Sequence, residues 1–298
     1  MRAAENRGTI EGTLSEIKLE ESTFKKNGSD QPCIRGSVRV VVPQEHNGIP
    51  ETNEYTVNVF TAKYKNDGNL NNSYEQFYKV LHEFKSIAAT GNENEADKIR
   101  LEGVSIRQNV FKSRDGRVVS TPRLMASFAR KITGKFNPQA TFSMEFVYCG
   151  SEFATDEDGV ELEPRKLNVH IAVPQFNGTV EELTLVAYAN DAIDVISNNW
   201  SIGYTYQAIG RMRCVSTSVT VTPANSFGEP INRTRTINEF IITGGQADPY
   251  DDEMGFDPDE VRAALAAHRE EIQKMAEAPA QKPAANVSRN ARNLPMLL

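Results

Sequence analysis

Val40-Val41-Val42-Pro43-Gln44-Glu45-His46-Asn47-Gly48 has an echo in the second half of the chain, Ile171-Ala172-Val173-Pro174-Gln175-Phe176-Asn177-Gly178, with one residue dropped between Gln and Asn. An internal repeat bears on the whole fold rather than on one element. Upstream of the first copy, Ile34, Gly36, Val38, Val40 and Val42 alternate with Arg35, Ser37, Arg39 and Val41. That period of two marks a half-buried strand. The repeat therefore falls at the end of a second strand in each half, and Asn47-Gly48 is a turn signal flanked by more residues than a tight hairpin needs.

Around the first copy, residues 1–135 read as five strands and one helix. Strand one covers about Gly8 to Leu19. Ile10, Gly12 and Leu14 share a face and Ile17 and Leu19 take the other phase, a slip that a β-bulge produces. Strand three runs from about Tyr55 to Tyr64, with Val57 and Val59 inward and Asn58 and Phe60 outward. A helix comes next, with Ser73 and Gln76 spaced as a capping box and Phe77, Val80, Leu81 and Phe84 on its apolar face. Strand four covers about Ile99 to Phe111, with a phase change at Gly103, and strand five Val118 to Ile132. The order β-β-β-α-β-β is that of the five-stranded OB barrel.

The second half repeats the plan. Thr141 to Tyr148, Lys166 to Val173 and Leu183 to Ala189 read as strands one to three. Asp191 to Asn198 reads as a short helix capped by Asn190, and Tyr206 to Val221 and Arg235 to Thr243 as strands four and five. The expected organisation is all-β: two tandem OB-type barrels at 1–135 and 136–247, each with a helix between strands three and four, joined through Thr133 to Pro138. An acidic segment, a helix at about 257–278 and a disordered tail complete residues 248–298. Asp257-Pro258-Asp259-Glu260 is a helix start, with a cap, a proline in the first turn and an acid three residues after the cap.

The net charge of −7 is unevenly placed: +4 over residues 1–135, −7 over 136–247 and −4 over 248–298. The first third is where a phosphate backbone is most welcome. Three well-separated cysteines (Cys33, Cys149, Cys214) read as reduced thiols of a cytoplasmic protein, and no C-x-x-C pair suggests a metal. No apolar run is long enough to span a bilayer, and Met1 to Arg7 has no apolar stretch, so no secretory signal is expected. Catalytic signatures are missing: no H-E-x-x-H, Walker A, G-x-S-x-G or Rossmann glycine pattern occurs, and His46, His82, His170 and His268 are scattered. No enzyme activity and no cofactor are expected. Asp156-Glu157-Asp158-Gly159 lacks EF-hand spacing and reads as a solvated turn.

A binder of single strands needs cations along the backbone path and aromatic faces on which bases stack. An OB barrel offers both on strands two and three and the adjoining loops. Here strand two presents Arg35, Ser37 and Arg39, and strand three Asn58, Phe60 and Tyr64, followed by Lys65. Strand four adds Arg107, and the loop after it Phe111, Lys112, Arg114 and Arg117. In the second half, the repeat places Lys166, Asn168 and His170 at the positions of Arg35, Ser37 and Arg39. Tyr188 falls near the Phe60 position, and Arg211 and Arg213 on strand four, with Arg233 and Arg235 before strand five, complete a smaller set. A surface arginine on a strand is ordinary, and Phe60 and Tyr188 are equally compatible with covering a barrel end or an inter-domain contact. Phe142, Phe146 and Trp200 read as core. The recurrence of a cation–polar–cation row beside an outward ring in both copies favours the binding reading.

Ile34 to Val40, the run from Lys98 to Ser120, and Phe240-Ile241-Ile242-Thr243-Gly244-Gly245 followed by acids resemble single-stranded DNA-binding proteins. The resemblance spans about residues 8–260 and rests on element order. It implies sequence-independent coating of single-stranded DNA in replication or recombination, with a phage as one source of such a chain, and an acidic tail that recruits replication or recombination proteins. The chain departs from the bacterial pattern in its tail: the acids are internal, a helix follows them, and Arg289 and Arg292 precede the apolar end. The competing expectation, which the overall acidity favours, is a structural or assembly protein, such as a virion component, whose paired barrels contact protein.

Overall fold

The computed structural model describes residues 1–113, 115–156, 158–221, 231–251 and 253–277, with backbone alone for 218–221, 231–233 and 235. Alternating apolar residues build three long strands first: β1 (Asn6–Lys26), β2 (Ser29–His46) and β3 (Ile49–Ala62). Both connecting turns are two-residue Asn-Gly steps, with φ of 50° and 81° at Asn27 and Gly28 and 51° and 77° at Asn47 and Gly48. Positive φ at both central positions is what a type I′ hairpin turn requires. The loop expected around Asn47-Gly48 is thus absent, because pairing continues to His46↔Ile49. The strands also outrun their expected ends, since the hairpin arms are polar on their exposed residues and carry no hydrophobic signal. The phase slip of β1 is a bulge: Leu14 pairs Val40 and Glu16 pairs Arg39, leaving Ser15 over.

The helix α1 (Asn72–Glu83) is capped by Asn71, whose side chain accepts from the Ser73 amide at 3.1 Å. The expected Ser73–Gln76 box does not form, because both side chains serve tertiary contacts: Ser73 Oγ donates to the Ser127 carbonyl, and Gln76 Oε1 accepts from the Ala129 amide. A single turn, α2 (Ile87–Thr90), follows. Strands four and five each break in two, giving β4 (Lys98–Glu102), β5 (Ser105–Lys112), β6 (Val118–Met125) and β7 (Phe128–Lys131). β4 pairs β1 and β7, while β6 meets β3 in parallel at Val57↔Leu124 and Asn58↔Met125. The ring β1-β2-β3-β6/β7-β4 is a closed five-stranded barrel, consistent with OB-like folds. Ile10, Leu14, Val38, Val40, Val57, Ile99 and Leu101 are fully buried in the core, as are Phe77 and Val80 of α1. Past the breaks, β5 and the outer part of β6 pair only with each other and form an arm.

The second half holds β8 (Gln139–Phe153), β9 (Leu167–Pro174), β10 (Val180–Ala187), α3 (Asn190–Asn199), β11 (Thr205–Val221) and β12 (Ile231–Gly245). β8 pairs β9 and β11, β9 pairs β10, β11 pairs β12, and β10 meets β12 in parallel at Val186↔Ile241. Phe142, Phe146 and Trp200 are buried, as expected, with Trp200 stacked on Tyr206 at 4.7 Å. α3 starts without a side-chain cap hydrogen bond, so Asn190 does not cap it.

The halves are joined by far more than the 133–138 connection. β1 pairs β8 from Asn6↔Met144 to Glu11↔Gln139, and one buried cluster extends from Ile10 to Ile242. The Tyr55 hydroxyl donates to the Met212 carbonyl at 2.7 Å, and the Cys214 amide to Asn53 Oδ1 at 2.7 Å. The last described element, α4 (Pro258–Glu277), starts where expected, with Asp257 Oδ1 accepting from the Asp259 amide at 2.9 Å. It lies against the protein: Val261 and Phe256 pack with Val147, Ala172 and Val180, and Arg269 pairs with Glu182. No described helix is long and apolar enough to cross a membrane.

Candidate nucleic-acid interface

The register of β2 and β3 decides what their outer face displays. Arg35 lies opposite Phe60, Ser37 opposite Asn58, and Arg39 opposite Thr56. Directly opposed residues hold their Cβ atoms about 5 Å apart, so each cation stands beside its cross-strand neighbour. Phe60 is 50% exposed, with the Phe24 ring of β1 edge-on at 5.2 Å. Tyr64 is 42% exposed and has Lys63 Nζ 5.8 Å from its ring centre. Phe24, Tyr64, Lys26 and Lys65 line one hollow at this end of the barrel. Arg35 pairs with Glu20 at 2.7 Å, and Arg39 with Glu16 at 2.6 Å and Glu54 at 3.5 Å. A solvated pair such as Arg35–Glu20 is worth only about 0–1 kcal/mol, so a phosphate can displace that carboxylate at little cost. Asn58 lies on the same outer face, with its amide already donating to the Leu124 carbonyl of β6 at 3.2 Å.

The arm residues separate into two groups. Phe111 is 42% exposed, and Arg117 is solvated beside Asp115. Arg107 instead grips Glu181 of β10 through paired contacts of 2.8–3.1 Å. Lys112 Nζ donates to the carbonyls of Met275 (3.3 Å) and Ala276 (3.0 Å), a cation at the negative end of α4. Arg114 lies outside the described residues.

In the second half the repeat holds in register but not in exposure. Leu167 pairs Ala187, so Lys166 and Tyr188 fall opposite one another, as Arg35 and Phe60 do. Both turn to Glu239: Lys166 Nζ and the Tyr188 hydroxyl each reach Oε1 at 2.8 Å, while Arg213 reaches Oε2 at 2.9 Å. Arg213 also pairs with Glu51 of β3, and Arg211 donates to the Glu45 carbonyl and contacts His46 Nδ1 at 2.8 Å. Burial pushes the Glu239 carboxyl up, but the hydrogen bonds of Lys166, Arg213 and Tyr188 outweigh it and hold the group below its ordinary value. Arg213 likewise holds Glu51 down, chiefly by hydrogen bonding. Burial, then Arg213 and Arg211, lowers the pKa of the His46 imidazole. These residues form a polar clamp between the halves. His170 remains open, 3.4 Å from Thr184 and 3.5 Å from Glu152. The side chains of Arg233 and Arg235 lie outside the described set.

Between β3, the arm and the β11–β12 hairpin runs a polar trough. Two adjoining cavities of about 530 and 560 Å³ share Thr121, Pro122, Asn238 and Phe240. Arg39, Asn58, Asn109, Arg123, Ser216 and Thr236 line its first part. Of these, the sequence pattern singles out only Arg39 and Asn58. The others come from strands far apart in the chain, and a lone Asn or Thr in a strand carries no signal by itself.

Among curated proteins nothing matches the chain. Its structural neighbours are single-stranded DNA-binding proteins at low identity. A deletion variant of the single-stranded DNA binding protein from Thermus aquaticus is 13% identical with a TM-score of 0.49, over 85% of this chain and 98% of that one. The wild-type Thermus aquaticus protein gives 12% and 0.47, over 84% and 95%. A Replication Protein A heterotrimer bound to ssDNA gives 11% and 0.20, over 93% and 71%. The family model described as YorF matches residues 5–278, nearly the whole described chain, and on that match the chain belongs to the YorF family.

Proposed function

We propose that the chain binds single-stranded DNA without sequence preference and without catalysing a reaction, as two tandem OB-type barrels (residues 1–135 and 136–247) of which the first carries the main platform. The observation that carries this reading is the outer face of β2–β3. Phe60 and Tyr64 stand exposed there, Phe24 supports Phe60, and Arg35, Lys26, Lys63 and Lys65 surround the rings. Stacking on a ring is worth about 1–3 kcal/mol per base and tolerates any base, while the cations follow the phosphates. Tyr188, the corresponding ring of the second half, is tied to Glu239, which supports a lesser role there. Three free thiols fit a reducing cytoplasm, and the reading places the protein in replication or recombination. Protein partners would meet the acidic stretch before α4, since the apolar side of that helix's first turns is already covered.

Fluorescence anisotropy of labelled oligo(dT) across a salt series tests this. The expected result is nanomolar-to-micromolar binding that weakens as salt rises, with about tenfold loss in Phe60→Ala and a shallower salt dependence in Arg39→Ala. A labelled oligonucleotide is the better reporter, because the single tryptophan, Trp200, is buried. Binding indifferent to salt, or none, would return the chain to the class of structural proteins.

A further inference from the structure

The trough does not include the Phe60 and Tyr64 rings. We propose that it is a second nucleic-acid subsite, which takes the single strand as it leaves those rings and holds its bases between the two halves of the chain. The inference rests on the single-strand-binding reading and adds a path to it.

Continuity is the first argument. Arg39, Thr56 and Asn58 belong to the β2–β3 rows and also to the trough wall, so a strand crossing the rings runs directly into it. Chemistry is the second. Among the described residues Asn109 and Asn238 make no side-chain hydrogen bond. A side-chain amide both donates and accepts, so such a wall can meet any base edge, as sequence-independent binding demands. Charge is the third. Arg123 is exposed on β6 and, among the described residues, has no carboxylate partner, its polar contact being the Met125 sulfur at 3.3 Å. It is a cation left for a phosphate. The acids in its walls are already held: Glu54 by Arg39 and by Ser15 Oγ at 2.9 Å, and Glu182 by Arg269. Shape is the fourth: the two adjoining cavities make one elongated trough, suited to a chain rather than a compact ligand.

The test uses the full chain with oligo(dT) of graded length, and with 5-iodouracil-substituted oligonucleotides for photocrosslinking. Crosslinked peptides are expected from β11 or β12, where Cys214 and Phe240 line the trough, as well as from β3. Arg123→Ala, an exposed site whose fold is checked by circular dichroism, should lower the slope of log K against log salt by about 0.7, one single-strand phosphate contact. It should do so for long oligonucleotides and not for those short enough to occupy only the rings. Asn109→Asp should weaken long oligonucleotides selectively, whereas Phe60→Ala weakens all lengths. If wild-type protein binds DNA but both trough variants keep its affinity and salt slope, with crosslinks confined to β2 and β3, the subsite is refuted and the DNA reading stands. If wild-type protein binds no oligonucleotide, the DNA reading fails and the subsite with it. Displacement of crosslinks in the trough, and not at the rings, by poly-glutamate would assign the trough to an acidic protein partner and also overturn the proposal.

Discussion

Glu239 shows how one side chain can decide whether its neighbours serve binding or architecture. It is 8% exposed and takes hydrogen bonds from Lys166, Tyr188 and Arg213. Removing the carboxylate leaves Arg213, whose side chain is 14% exposed, with Glu51 alone. Loss of one member of a buried charge network typically costs about 3 kcal/mol or more. Urea denaturation should therefore show Glu239→Ala destabilised by about 3 kcal/mol. The pH dependence has a definite sign. Glu239 and Glu51 are held below their ordinary value of 4.5 when folded, so their contribution is present above pH 4.5 and lost as pH falls through the lowered values. Thermal melts from about pH 6 down to about pH 3 should show a steep fall for the wild type and a shallower one for Glu239→Gln. Parallel curves would remove the network from the acid limb.

At the scale of the element, β1 and β2 owe their contact to a missing side chain. Gly36 has φ of 129°, and a Cβ there would lie 2.0 Å from the Lys18 carbonyl oxygen. The clash is with backbone of a paired strand, so it cannot be relieved by a rotamer change, and the conformation is itself adverse for an L-residue. Gly36→Ala should cost on the order of 3 kcal/mol, read by urea denaturation. Because Arg35 and Ser37 flank this glycine, the substitution should also weaken oligo(dT) binding. A variant with wild-type stability would show that the strands can separate there without penalty. The arm β5–β6 is the other element with a double use. Its inner end anchors the halves through Arg107 and Glu181, its tip carries Phe111 and Arg117, and Lys112 fastens the end of α4.

For the whole molecule, the two halves share a sheet through β1 and β8, one buried cluster, and the clamp from Glu51 to Glu239. Domains joined by a linker alone unfold separately, whereas a shared core couples them. Trp200 reports on the second half, and far-ultraviolet circular dichroism on the whole chain. Their urea transitions should coincide. Two separated midpoints would show that the halves keep independent cores.

Alternation of side chains was enough to place nearly every strand, because period two is a local property that burial on one face imposes. The β1 bulge, the inward Val57 and Val59 and the outward Phe60 come from it, as does the start of α4 from its capping chemistry. Where the sequence misled, a distant contact had claimed the residue. Ser73 and Gln76 left the helix cap for β7 and the loop before it, and Lys166 and Tyr188 left the surface for Glu239. Arg123, Asn109 and Asn238 had no local signature at all; they became neighbours only when the arm and the β11–β12 hairpin closed against β3. Local periodicity is written in the chain because each strand must hide one face. Which polar groups meet across strands depends on how the halves pack, and that is decided by the whole core at once.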